Sequence, residues 1–370
     1  MSLWRRERQV EERSVVWPGY PFPPSQLGLD VDDDRALRSA AVWACQRVLV
    51  ATVSKMPVDV VQVRGTERLP VRTTPPLISA PSDLVSRRGW VAQVIRSLVQ
   101  SGNAYGRITA VDNDGRPLKI ETITPQSVTW RVKAGVETPH VDGKAEQLWP
   151  LGNFWHVPAS QFLVPGTRVA LSPTHYAMRS ISTALAAEQF GTQFFTEGAH
   201  PAQVAYVDQD ITAQQADAIK QRLLAMRGSR EPAVFGSGVK LEAMQVSPSD
   251  SQFLELLRFE VEQACRFWGV PPSMVFLALS GQAVTYSNVT QDDLHFLKHS
   301  VEAWLVDIED ALSALLSRPQ SVKFNVDSVL RMDTTTRYAA HATALAAGFL
   351  TINEVRALED LPPLGDPTNG

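Results

Sequence analysis

The chain has 370 residues, 44% of them hydrophobic and 20% charged, which suits two or three domains around a sizeable core. Thirty-nine acidic against thirty-five basic residues leave a net charge of −4, which argues against a protein whose main task is to grip nucleic acid by its phosphates. The opening residues 1–12 (MSLWRRERQVEE) lack the apolar core of a signal peptide, and no apolar run reaches the roughly 20 residues of a membrane span, so a soluble protein made inside the cell is expected.

Residues 1–34 join a charged start, the proline cluster at 17–24 (WPGYPFPP) and an acidic run at 30–34, a composition that predicts an extended or disordered arm. From Arg35 the positions Leu37, Ala40, Ala41, Ala44, Val48 and Ala51 fall on one helical face, and Pro57 ends that helix. Residues 58–63 (VDVVQV) alternate as a strand, and a proline-rich link at 73–81 leads to a helix over about 86–100. Strands are predicted at 103–111 and 118–123, joined by Asp112, Asn113, Asp114 and Gly115 as a hairpin turn, then at 128–132 and 154–157.

A further helix begins at Ser172 with Pro173 in its first turn and stops at Gly198. Thr212 and Gln215 form a capping box for a helix to about Arg227, and residues 233–246 read as two short strands around Gly236, Ser237 and Gly238. Next come two segments of strong helical periodicity. The first, about 249–268, repeats Phe253, Leu256, Leu257, Glu260, Ala264 and Phe267; the second, about 288–317, repeats Leu294, Leu297, Val301, Trp304, Ile308, Ala311 and Leu315. At about 1.5 Å per residue the second would run roughly 45 Å, so it either spans a large domain or packs against copies of itself.

Between them, residues 268–288 read WGVPPSMVFLALSGQAVTYSN. Gly269 can take the left-handed conformation that stops a helix, Pro271 and Pro272 cannot continue it, and Asn288 can cap the next. The intervening loop is small, apolar and uncharged, with Ser280 and Gly281 as its flexible point; a loop of this length between strong helices is functional or disordered. The tail adds a strand at 322–326, a helix capped by Asp333 and stopped at Gly348, and a last helix whose Thr351 and Glu354 form a second capping box.

Catalytic chemistry finds no carrier. There is no P-loop and no GxGxxG after a strand. The turn at Gly236, Ser237 and Gly238 lacks the flanks of a nucleophile elbow. His295 and His299 sit one helical turn apart near Asp292 and Glu302, but Phe296 stands where an HExxH site needs glutamate, so a solvated polar face is the simpler reading and a metal-dependent hydrolase the alternative. The adjacent acids Glu309–Asp310 and Asp292–Asp293 diverge on a helix and are most simply solvated, and His140, His156, His175 and His200 share no spacing. Cys45 and Cys265, far apart and without ligand spacing, read as buried reduced thiols in a reducing cytoplasm. Lys220, Arg222, Arg227 and Arg230 cluster toward one helix C-terminus, where they meet the dipole or a partner. No metal or cofactor is expected.

In this setting the order of several segments resembles the phage portal protein family, the head-to-tail connectors of long-tailed bacteriophages. They are residues 41–57 (AVWACQRVLVATVSKMP), 101–105 (SGNAY), 195–201 (FTEGAHP), 250–254 (DSQFL), 267–272 (FWGVPP), 285–288 (TYSN) and 348–356 (GFLTINEVR). Their order and spacing, rather than any one of them, carry the resemblance.

It implies an α+β portal-type subunit that is not an enzyme and assembles as a ring, usually of twelve, at one capsid vertex. Double-stranded DNA would pass through non-specifically. The terminase large subunit, a head-tail adaptor and the major capsid protein would be its partners, with assembly in the host cytoplasm and no membrane. After a flexible arm at 1–34, the resemblance makes 35–200 a mixed wing and 201–268 a small clip with a helical stem. It makes 269–287 a tunnel loop, 288–333 a long wing helix with a strand, and 334–370 a helical crown and tail.

Within that scheme Ala278, Leu279, Ser280, Gly281 and Gln282 would face the DNA. Lys220, Arg222, Arg227 and Arg230 would make clip or stem contacts, and Phe253, Leu257, Leu297, Val301, Trp304 and Ile308 would pack subunits. A monomeric helical adaptor whose heptads pack internally is the other alternative.

Overall fold

A computed structural model describes residues 33–64, 67–133, 136–196, 202–207, 212–226, 239–244, 250–276, 286–328, 334–359 and 361–364. The expected arm falls almost wholly outside the described residues. The helix predicted from Arg35 is broken. A single turn, α1 (Asp33–Ala36), closes with the Arg38 and Ser39 amides on the Arg35 and Ala36 carbonyls, and α2 (Ala40–Lys55) starts afresh after Ser39. Met56 then leaves the helix in extended conformation, which is the geometry required of a residue before Pro57.

Strand β1 (Val58–Arg64) follows, then β2 (Glu67–Pro70), the short helix α3 (Pro76–Ser79) and α4 (Arg87–Ser101). Ser86 caps α4 by accepting the Gly89 amide. On α4 the side chains of Trp90, Val91, Val94, Ile95, Leu98 and Val99 are buried at helical spacing, and they meet the buried face of α2 formed by Val42, Cys45, Leu49 and Val53. Each fully buried aliphatic side chain contributes roughly 1.5–3 kcal/mol of transfer free energy.

The β-rich section runs β3 (Asn103–Val111), β4 (Pro117–Ile123), β5 (Val128–Lys133), β6 (Val136–Val141), β7 (Lys144–Ala145) and β8 (Phe154–Pro158). It forms two antiparallel three-stranded sheets, ordered β4-β3-β8 and β5-β6-β7. Helix α5 (Pro173–Thr196) leads to strand β9 (Ala202–Val207), helix α6 (Ala213–Met226), strand β10 (Val239–Met244) and helix α7 (Asp250–Trp268). The β10 strand is the second of the two expected at 233–246; its partner is β9, and the Gly236–Gly238 turn lies outside the described residues.

Helix α7 packs on both α2 and α5. Beyond it come α8 (Tyr286–Phe296), a π-helical turn at Leu297–Val301, α9 (Glu302–Ser313), strand β11 (Gln320–Phe324), α10 (Thr334–Ala346) and α11 (Ile352–Leu358). No described helix is long and apolar enough to cross a membrane.

Strand β11 pairs antiparallel with β1, Val322 against Val60 and Phe324 against Val58, so a strand late in the sequence completes a sheet begun early. Glu309 makes that return specific. Far from being solvated, its side chain is buried, accepts the Phe324 amide at 2.8 Å and pairs with the Lys323 ammonium, tying α9 to β11. Leaving the buried carboxylate unpaired would be costly, so it fixes where the strand ends.

The sequence SGNAY is structural throughout. Asn103 is buried, donates to the Ala170 and Ser101 carbonyls at 2.7 and 3.1 Å and accepts the Ala170 amide at 3.1 Å, stitching the end of α4 to the segment before α5. With its oxygen an acceptor, the 3.1 Å contact to His156 Nε2 makes that nitrogen the donor. Burial, with the nearby Arg168 charge, lowers the His156 pKa to about 3, so the ring is neutral. It stacks on Tyr105, whose hydroxyl accepts from Trp130 Nε1 at 3.1 Å.

At the C-terminal end Thr351 and Glu354 form the expected capping box. Glu359 then closes α11 onto α10, accepting from Arg337 Nε and Nη2 at 2.6 and 3.0 Å and lying 3.0 Å from His341 Nε2. Hydrogen bonding from Arg337, with a smaller contribution from His341, holds the Glu359 carboxyl below its ordinary value of 4.5. A depressed folded-state pKa gives stability that is present above 4.5 and lost as pH falls through the depressed value. Amide-exchange protection over 337–347, corrected for intrinsic rates, is therefore expected to fall on acidification below pH 4.5, and Glu359→Gln is expected to flatten that dependence.

Candidate functional site

The segment FWGVPP ends α7 and turns the chain toward α8. Trp268 is buried and its indole nitrogen donates to the Val99 carbonyl at 3.0 Å, pinning the last turn of α7 to α4. Gly269 adopts φ +65°, the left-handed geometry expected of it, and the Val270 amide closes on the Cys265 carbonyl at 2.9 Å. Pro271 and a single 3-10 turn, Pro272–Val275, carry the chain out to Phe276, itself left-handed at φ 62° and 88% exposed.

Two hydrogen bonds clamp the far side of this turn. Ser300, in the π turn, donates to the Gly269 carbonyl at 2.5 Å, and Ser273 donates to Asp292 of α8 at 3.2 Å. The second helix begins at Tyr286, so Asn288 lies inside it and is not its cap. The predicted single helix is also interrupted. At Leu297–Val301 it widens into a π turn, which buries Leu297 and Val301 while presenting Ser300 to Gly269.

The expected packing residues divide. Leu297, Val301, Trp304 and Ile308 are all buried in the subunit's own core, Trp304 against Phe162, so this seam is filled from within the chain. Leu257 is half-buried on α7, and Phe253 lies in the first turn of the same helix. The outward face of α7 instead carries Leu256, Phe259 and Phe267, exposed by 38%, 49% and 38%, positions within one helical stripe. Lys220 is exposed on α6 and Arg222 lies on the same helix, whereas Arg227 and Arg230 fall outside the described residues. So do Ala278, Leu279, Ser280, Gly281 and Gln282, whose segment is bounded by Phe276 and Tyr286.

A cleft of about 410 Å³ opens between the end of α7 and the α8–π segment, lined among others by Glu262, Cys265, Arg266, His295 and His299. The two histidine rings are 5.7 Å apart and exposed, and no group of three His, Cys, Asp or Glu side chains gathers into a metal site among the described residues. Sequence reasoning missed one feature here: Cys45 Sγ lies 4.0 Å from Cys265 Sγ, both buried. The signal available was that each sits on the apolar face of its own helix.

Residues 40–360 match the family model described as Phage portal protein. The probable portal protein of Streptomyces phage phiC31 is 28% identical over 379 residues, covering 94% of this chain and 81% of that protein. Among solved structures, an HK97-family phage portal protein from Corynebacterium diphtheriae superposes with a TM-score of 0.63 at 15% identity, covering 81% of this chain and 97% of that one. A chain from the neck of a native gene transfer agent particle, computed with C12 symmetry, gives 0.58 at 18%, covering 89% and 92%.

The Gly269 turn predicts a coupled pair of substitutions. A Cβ on Gly269 would stand 2.5 Å from Ser300 Oγ in a backbone geometry costing an L-residue about 1–2 kcal/mol. Ser300→Ala alone is expected to cost about 1 kcal/mol for one lost hydrogen bond. Gly269→Ala together with Ser300→Ala is then expected to lose less than the sum of the two, because the alanine removes the oxygen that clashes; chemical-denaturation midpoints for all four proteins of the cycle measure the coupling. Strict additivity would mean that Ser300 is not seated on this turn.

Proposed function

This chain belongs to the phage portal protein family, and from that premise we infer that its copies form a ring, with twelve as the expected number, around a channel for double-stranded DNA at a capsid vertex. The single observation that carries the reading is the family match across 40–360, which takes in both helices of the α7–α8 junction. The ring serves genome packaging with the terminase large subunit, joining of head to tail through an adaptor, and DNA ejection, and it seats against the major capsid protein. The neck chain with C12 symmetry supports a cyclic assembly.

In this reading 35–200 and 288–333 form the wing, 201–268 the clip and stem with α7 as the stem helix, 269–287 the tunnel loop, and 334–370 the crown. Ala278, Leu279, Ser280, Gly281 and Gln282 face the DNA without charge. A subunit of net charge −4 suits that task, because neutralising even 6–10 phosphates yields a tight, salt-sensitive complex, and a packaging channel has to let the duplex slide. Lys220 and Arg222, with Arg227 and Arg230, supply the clip with cationic contacts for a docking partner.

Because Leu297, Val301, Trp304 and Ile308 are spent on the subunit's own core, contact between neighbouring subunits along the stem falls to the exposed stripe of Leu256, Phe259 and Phe267. Light scattering coupled to size exclusion is expected to give a mass near twelve times that of the chain. Phe259→Asp is expected to reduce that mass with helix content unchanged. A monomeric wild-type protein would count against the ring.

The loop makes a separate prediction. Gly281→Pro is expected to leave ring mass unchanged and to lower the yield of DNA-filled particles; normal yield would remove the loop from the channel.

A further inference from the structure

We propose that Cys45 and Cys265 form a thiol–disulfide site that, once oxidised, locks helix α2 to helix α7. The two residues are 220 positions apart in sequence, yet their sulfurs lie 4.0 Å apart where the two helices pack. A disulfide needs about 2.05 Å between sulfurs, so closure asks for a shift of roughly 2 Å shared between two side chains. Among the described residues no third ligand joins them, which separates the pair from a metal site.

The two thiols are not equivalent. Cys265 borders the cleft beside Arg266, whereas Cys45 lies behind it at 0% exposure. The Cys45 S–H donates to Cys265, which favours the Cys265 thiolate, and the Arg266 guanidinium favours it further, against Glu262 and burial. The same hydrogen bond and burial push the Cys45 thiol up. Because Cys265 borders the cleft and Cys45 lies behind it, Cys265 is the attacking sulfur and Cys45 the resolving one.

With oxidised glutathione as oxidant the step balances. The Cys265 thiolate attacks one glutathione sulfur, forming a mixed disulfide and releasing one glutathione thiolate, which takes up a proton. Cys45 then loses its proton and attacks Cys265 Sγ, forming the internal bond and expelling the second glutathione. Two protein thiols are oxidised by two electrons, and glutathione disulfide is reduced to two thiols.

The cleft of about 410 Å³ beside Cys265 has room for one glutathionyl arm, with the rest of the disulfide left in solvent. The biological setting rests on the portal reading: a particle protein made in a reducing cytosol meets oxidising conditions after release. The bond would then fix the stem helix to the wing only in the released particle.

The test uses the full chain purified under reductant and exposed to excess oxidised glutathione. The protein is then alkylated in denaturant and its peptides are mapped. Expected are a fall from two alkylatable thiols per chain to none, a peptide linking Cys45 to Cys265, and a single-chain band on a non-reducing gel. Cys45→Ser is expected to trap one glutathione on Cys265, while in Cys265→Ser the remaining Cys45 stays free. Two persisting thiols, chain-to-chain disulfides, or glutathione carried on Cys45 would overturn the proposal. The wild-type measurement decides even if a variant fails to fold, and light scattering on the same sample tests the ring separately.

Discussion

The anchoring of α7 at its C-terminal end sets the geometry of everything beyond it. Trp268 is held at its nitrogen by Val99 of α4, and the next residue reverses the chain with a left-handed glycine whose carbonyl is taken by Ser300. These bonds join three helices at one point. Without the indole bond the end of α7 would be free to fray, as helix termini do; without the glycine it could not turn this tightly. The π turn belongs to the same device. One wide turn puts Ser300 at the Gly269 carbonyl while Leu297 and Val301 stay in the core.

The rest of the subunit is tied together by buried polar groups at long sequence separation. Asn103 joins the end of α4 to the approach to α5, Glu309 joins α9 to β11, and Glu260 of α7, buried, accepts from Ser180 of α5 at 3.0 Å. Apolar burial supplies most of the favourable free energy but is indifferent to register. A carboxylate or amide that must find its partner in the interior is not. These groups select one arrangement of helices from the several that would bury the same apolar area.

Local chemistry was legible in the sequence and distant pairing was not. Gly269 with Pro271 and Pro272, the hairpin at Asp112–Gly115, the Thr351 and Glu354 box and the alternation of β1 all act over a few residues, and each leaves a residue-type signature. Glu309 looked solvated because its partners, Lys323 and the Phe324 amide, arrive on a strand fourteen and fifteen residues later. The cysteine pair was invisible for the same reason at larger scale. The strands β2 and β6 escaped because ERLP is too short to alternate and VETPHV carries a proline. The π turn has no signature of its own, since its apolar positions are those of an ordinary helix. The proposed channel-facing role rests only on the order of segments, which no single contact encodes.

The proposed channel role places opposite demands on two adjoining stretches, and the chain meets them with different chemistry. A loop that touches a sliding duplex has to reach it without holding it. Residues 277–285 are nine in number, and nine extended residues span at most about 30 Å, so a segment that leaves and returns to one base reaches about half that distance. Such a reach is useful only if the base does not move. Trp268 with Val99, Ser300 with Gly269 and Ser273 with Asp292 fix both sides of it through side chains rather than through a longer helix. The residues between Phe276 and Tyr286 carry no charge, so a contact they made with phosphate would lack the counterion release that makes such contacts tight.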